Sequence, residues 1–122
     1  MTPAWCLRVA AVSGFLVVAL GAFGAHSLKP LLQQQQTLEI WEKAVLYHAV
    51  HTLVLLGLAT QPSVALGAVV SFIVGIVLFS GSLYTMACTN IRWLGAITPL
   101  GGVSFLLGWA WLFVTAGSKP QG

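Results

Sequence analysis

A polytopic α-helical membrane protein is the fold class this sequence predicts, and three observations predict it. Only 6% of its 122 residues are charged and 58% are hydrophobic, against about a quarter charged in a soluble domain. The apolar residues fall into four runs, each close to the about 20 residues that a helix needs to cross about 30 Å of hydrocarbon. Turn residues gather between the runs rather than inside them. The expected architecture is all-α: one domain over 1–122, with four transmembrane helices in a compact bundle and both termini on the same side.

The first run, 5–25, is interrupted only by Arg8, whose long stem can carry its charge up to the headgroups. Ala22-Phe23-Gly24 resembles a signal-peptide cleavage site. The uncharged stretch from Val9 to Ala25 is longer than the about 7–15 residues of such a segment, so a retained helix is expected. The second run, 41–60, carries Glu42 and Lys43 in its first turn. The third, 64–88, and the fourth, 93–116, carry no charge, and the fourth contains Pro99.

The long connection is 26–40. Within it, Lys29-Pro30 is expected to stop any helix arriving from the first run, because the residue before proline is pushed out of the α region. Gln33–Gln36 reads as a polar surface loop. Thr37 is placed to cap a helix starting near Leu38, with Glu39 and Glu42 at its positive end. Gln61-Pro62-Ser63 reads as a tight turn with Ser63 capping the next helix. Asn90 suits a left-handed position after the third helix, and Lys119–Gly122 reads as a frayed tail.

Five basic and two acidic residues give a net charge of +3. That excess suits anionic headgroups, and no basic stripe for nucleic acid is present. Lys29, Lys43 and Arg92 fall on the loop side, while Arg8, Lys119 and the amino terminus fall on the other. The basic residues therefore leave the orientation open. Cys6 and Cys88 have no metal or redox spacing and read as small hydrophobes.

Inside lipid, helices associate through close packing of small residues rather than through hydrophobicity. Gly14 and Gly21, with Ala10 and Ala25, lie on one face of the first helix. Gly67, Ser71 and Gly75 form a stripe on the third, and Gly101, Ser104 and Gly108 form one on the fourth. These three stripes are the expected packing surfaces. Trp5, Trp41, Trp93, Trp109 and Trp111 mostly fall near segment ends and read as interfacial anchors.

The stretch WEKAVLYHAVH (Trp41–His51) is the one place where acids, a base, a phenol and two imidazoles enter an apolar run. With Trp41 at the interface, His48 lies about 10 Å deep and His51 about 15 Å. Ala44, Tyr47, His48, His51 and Leu55 share one wedge of that helix. Ionisable groups at such depth face the bundle interior and find partners. Ser80, Ser82 and Tyr84 on the third helix, Thr98 on the fourth and His26 after the first are the candidates. Three readings stay open: a structural network satisfied by hydroxyls and by carbonyls freed at Pro99; a small-molecule, quinone-like or ion pocket; and metal or haem ligation by His26, His48 and His51. No acid or cysteine completes a ligand set, so no metal site and no cofactor is assigned. No serine–histidine–acid or paired-carboxylate pattern is visible either, so no catalytic residue is assigned and no enzymatic activity is expected.

Four motifs then carry a resemblance: GAFGAHSLK (Gly21–Lys29), WEKAVLYHAVH (Trp41–His51), LFSGSLY (Leu78–Tyr84) and TPLGG with FLLGW (Thr98–Trp109). The chain resembles the small four-helix membrane proteins of the DUF423 family, also called UPF0382. The resemblance implies a bacterial inner membrane, or a mitochondrial membrane for a eukaryotic member, and supplies no activity. The role expected is structural or accessory. The lipid bilayer is the immediate partner, and a membrane-protein partner or a second copy comes next. The alternative is a binding or transport protein working through the loop-side polar pocket.

Overall fold

The computed structural model describes residues 2–117, so the tail expected at Lys119 lies outside the described residues. Among the described residues six α-helices are formed: α1 (Ala4–Ala25), α2 (Lys29–Gln34), α3 (Leu38–Ala59), α4 (Leu66–Gly75), α5 (Gly81–Thr89) and α6 (Thr98–Thr115). A π-helical turn, Ile76–Ser80, joins α4 and α5 into one continuous rod, Leu66–Thr89. A 3-10 turn, Arg92–Ala96, leads into α6. Among the described residues there is no strand.

Three of the long helices, Ala4–Ala25, Leu66–Thr89 and Arg92–Thr115, are long and apolar enough to cross a membrane on their own. The remaining long helix, α3, has 22 residues, and Glu39, Glu42, Lys43 and the two histidines lower its hydropathy. It is also the helix with most neighbours. α1 packs along α3, α3 packs on the Leu66–Thr89 rod, and α6 packs on the same rod. The outward faces carry Val18, Leu53 and Phe113, each more than half exposed. In water such a surface would drive aggregation, whereas in hydrocarbon it is the ordinary outer face of a span.

The main core joins Ala10 of α1, Leu55 of α3, Ala68, Val69 and Phe72 of α4 and Phe105 of α6. The expected small-residue stripes of the third and fourth helices lie in this packing. Gly67, Gly75 and Gly108 do meet neighbouring helices, but each accepts an aromatic ring: Trp111, Phe105 and Phe72 respectively. Ser104 Oγ donates across the same interface to the Ser71 carbonyl at 2.7 Å. Only Gly101 brings backbone against backbone, where an added Cβ would land on the main chain of Phe79 inside the π turn. Gly14 and Gly21 are looser, since a Cβ there would reach Thr52 and Val45 at an ordinary 3.7 Å. Ala25 is exposed. The close approach on α1 is at Gly24 instead, which is covered by the indole of Trp41.

Trp41 is therefore not an interfacial anchor. It is 3% exposed, its Nε1 donates to the Leu20 carbonyl at 2.9 Å, and its ring meets Tyr84 at 4.7 Å. Trp93, by contrast, is 67% exposed.

The 26–40 connection is more ordered than a polar surface loop. Pro30 falls in the first turn of α2, where its missing N–H costs nothing; Lys29-Pro30 therefore starts a helix rather than stopping one, since α1 already ends at Ala25. Leu32 is fully buried against Trp41 and Ala87. Thr37 precedes α3 without capping it by its side chain. Its hydroxyl donates instead to the Ala87 carbonyl at 2.8 Å, and Gln35 Nε2 donates to the same oxygen at 2.7 Å. The connection thus closes the end of α5, whose last carbonyls have no partner within the helix. Gln36 adopts φ 59° at the end of α2, and Asn90 adopts φ 59° after α5, as its side chain suits. Ser63 does not cap the next helix, which begins only at Leu66 after Ala65. Cys6 and Cys88 are free and stand near opposite ends of the molecule.

Candidate functional site

On α3 the spacing Ala44, His48, His51, Leu55 keeps one face directed inward, and all four residues are buried. Tyr47, counted on the same wedge, sits at its edge and is 40% exposed. The two imidazoles point to different neighbours. His48 turns toward α1 and α5, and His51 toward α6.

The His48 ring is held at both nitrogens, with Ser13 Oγ 3.0 Å from Nε2 and Tyr84 Oη 2.9 Å from Nδ1. Ser13 Oγ also lies 2.6 Å from Thr52 Oγ1, and Thr52 Oγ1 donates to the His48 carbonyl at 2.7 Å. Each hydroxyl has one proton to give, which fixes the order. Thr52 gives its proton to the carbonyl, so Ser13 donates to Thr52. Nε2–H of His48 then donates to Ser13, and Tyr84 donates to the bare Nδ1. Four donors run in one direction, from Tyr84 to the backbone of α3.

His51 is fixed as firmly. The Tyr47 carbonyl lies 2.8 Å from Nδ1 and can only accept, so Nδ1 carries the proton. The indole Nε1–H of Trp109 can only donate, and it reaches Nε2 at 3.1 Å. The ring is therefore the neutral Nδ1–H tautomer. It stacks on Phe105 with centroids 3.6 Å apart and planes 5° from parallel.

The other expected members form separate pairs. Ser80 Oγ donates to the Ala44 carbonyl at 2.8 Å, binding the π turn to α3. Ser82 Oγ donates to the Phe79 carbonyl at 2.9 Å and so accepts from Thr98 Oγ1 at 2.7 Å. His26 is the C-cap residue of α1 and is exposed, away from all of these. The eight candidates thus divide into two histidine networks, two hydroxyl links and one outlying residue. Carbonyls near Pro99 do not serve the histidines, because Pro99 sits in the first turn of α6 and opens that helix rather than breaking it. Among the described residues no group of three His, Cys, Asp or Glu side chains comes together, and the ring nitrogens of His48 and His51 are committed elsewhere.

Ser13, Thr52, Phe105 and Trp109 are the partners that sequence reasoning missed. Thr52 had a signal, lying four residues after His48 on the same face. Ser13 had a weaker one, as a hydroxyl in the middle of an apolar run. Trp109 read as an anchor, and Phe105 entered only as part of the FLLGW motif.

Apolar rods of membrane-crossing length, with their polar side chains tied inward, define an integral membrane protein built from several helices. A family profile described as "Protein of unknown function (DUF423)" matches residues 20–102, and the chain belongs to that family. It is 45% identical over 121 residues to the UPF0382 inner membrane protein YgdD of Escherichia coli (strain K12), covering 95% of this chain and 92% of the relative. It is 44% identical over 113 residues to the UPF0382 membrane protein YwdK of Bacillus subtilis (strain 168), covering 87% and 90%. It is 43% identical over 110 residues to the UPF0382 membrane protein SSP2132 of Staphylococcus saprophyticus, covering 85% and 89%. No solved structure gives a significant match.

Proposed function

We propose that the chain crosses a bacterial inner membrane four times, with both termini on one face, as a non-catalytic structural or accessory component of a membrane assembly. The observation that carries this reading is the completeness of the internal hydrogen bonding. Among the described residues no buried side-chain nitrogen or oxygen lacks a partner. A polar group in hydrocarbon stabilises a bundle when satisfied and destabilises it when not. Side chains arranged for catalysis would instead leave a donor, acceptor or nucleophile free for a substrate.

The fourth span is α3. Its charges stop at Lys43, and Ala44–Ala59 covers about 24 Å at 1.5 Å per residue. Because α1 and the Leu66–Thr89 rod flank it, α3 shows less surface to lipid and tolerates a lower hydropathy. Fusing a reporter active only in the cytoplasm, and one active only outside it, to each terminus tests the topology. The same reporter is expected to work at both ends, and opposite results would overturn it. Extraction in mild detergent with crosslinking tests the role. Recovery with a membrane-protein partner, or as a defined oligomer, in constant ratio is expected. Recovery of the monomer alone after crosslinking would overturn it.

A further inference from the structure

The face of α3 turned away from the core carries its own polar pattern. Glu39, Lys43 and Tyr47 stand four residues apart, so they stack up one side of the helix at intervals of about 6 Å. All three are exposed, and the exposed Val50 and Leu53 continue the strip deeper into the hydrocarbon. Glu42 is exposed beside them at the outer end. The Tyr47 ring is steadied by Phe79, with centroids 4.7 Å apart. Side-chain hydrogen bonds on α3 are made by Trp41, His48, His51 and Thr52. Among the described residues the Tyr47 hydroxyl makes none. A phenol facing lipid one turn below a lysine thus keeps its donor for a group from outside the chain.

From water inward the strip reads carboxylate, ammonium, phenol and aliphatic side chains. A glycerophospholipid with an ethanolamine headgroup reads ammonium, phosphate, ester carbonyl and acyl chain in the same direction. We propose that the strip is a binding site for such a lipid. Its ammonium donates to Glu39, its phosphate accepts from Lys43, and an ester carbonyl accepts from the Tyr47 hydroxyl. One acyl chain then lies along Val50 and Leu53. Charge complementarity carries the assignment. Lys43 alone would attract any lipid phosphate. The carboxylates of Glu39 and Glu42 beside it repel a headgroup of net negative charge, such as phosphatidylglycerol. They also favour a headgroup with N–H bonds to give, which a choline lacks. The inference rests on the reading that α3 crosses the membrane with Lys43 at its loop-side surface.

The test uses the full chain in phosphatidylcholine nanodiscs, into which phosphatidylethanolamine or phosphatidylglycerol with the same acyl chains is titrated. The chain has two tyrosines, so a carbon-13 label at Cζ gives two resonances, and Tyr47→Phe assigns them. Phosphatidylethanolamine should shift the Tyr47 resonance to saturation and leave that of Tyr84 in place. Phosphatidylglycerol should need about threefold more lipid for the same shift, the scale of one exposed ion pair. Lys43→Gln should raise the half-saturating fraction of phosphatidylethanolamine about threefold, and Glu39→Gln should cancel its advantage over the other two lipids. Both side chains are exposed, so the unfolding temperature should hold. Arg92→Gln removes a loop-side cation outside the strip and should leave the preference intact. Equal response to the three headgroups would overturn the proposal. So would a preference that survives Glu39→Gln or disappears with Arg92→Gln. Terminal reporters on opposite faces would overturn the α3 span and the site with it, whereas same-face reporters with an indifferent Tyr47 would overturn the site alone.

Discussion

Trp109 donates its indole N–H to Nε2 of His51 at 3.1 Å, joining two helices whose backbones keep apart. The bond holds His51 flat on Phe105 and gives a deeply placed imidazole both of its partners. Removing either residue strands the other. His51→Ala is expected to cost about 2–4 kcal/mol, from the lost bond and the cavity beside Phe105. Trp109→Phe should cost about 1 kcal/mol or somewhat more. A double-mutant cycle read by unfolding in detergent should return a coupling of about 0.5–1.5 kcal/mol, the range of hydrogen bonds between membrane helices. Strictly additive losses would mean that the two side chains do not interact.

Glycine substitutions separate contact from conformity to a stripe. Gly101→Ala places a methyl group on the Phe79 backbone, which cannot rotate away. A loss of about 2 kcal/mol or more is expected. Gly14→Ala puts the same methyl 3.7 Å from Thr52 Cγ2 and should change stability by less than about 0.5 kcal/mol. Thermal unfolding of the two variants in one detergent decides the matter, and equal losses would sink the distinction.

The cap on α5 can be removed without changing shape. Thr37→Val keeps the volume of a fully buried side chain and deletes its bond to the Ala87 carbonyl. A loss of about 1–2 kcal/mol is expected. Adding Gln35→Ala deprives the same carbonyl of its second donor, so the double variant should lose more than the two single losses combined. A double variant no worse than Thr37→Val would show that Gln35 contributes nothing.

Gln36 holds a backbone conformation that a side chain disfavours, with φ 59°. Gln36→Gly should raise stability by up to about 1 kcal/mol, and Gln36→Val should lower it by at least as much. A lower unfolding temperature for the glycine variant would argue against strain at this turn.

The helices were legible because hydrocarbon thickness imposes a length and a composition that few other constraints can mimic. Asn90 was legible because its short amide favours the left-handed turn that it adopts. The polar residues of α3 were legible as a set, since buried imidazoles stand out in an apolar run. Their partners were not. Ser13 and Trp109 are chosen by how α1 and α6 lie against α3, and spacing along one helix carries no record of that. The π turn was equally hidden, because Ile76–Ser80 has no residue that demands it. Trp41 misled for a related reason, since tryptophan suits an interface and a glycine notch alike, and only Gly24 on another helix decides between them.

The order of the helices in space follows their order in the chain: α1 on α3, α3 on the Leu66–Thr89 rod, and that rod on α6. Synthesis runs in the same direction. In the proposed four-span topology, each segment after the first therefore finds its principal neighbour already in the bilayer. The histidines of α3 acquire their partners in stages in this order. Ser13 precedes them, Tyr84 follows with the next segment, and only the bond to Trp109 waits for the last one.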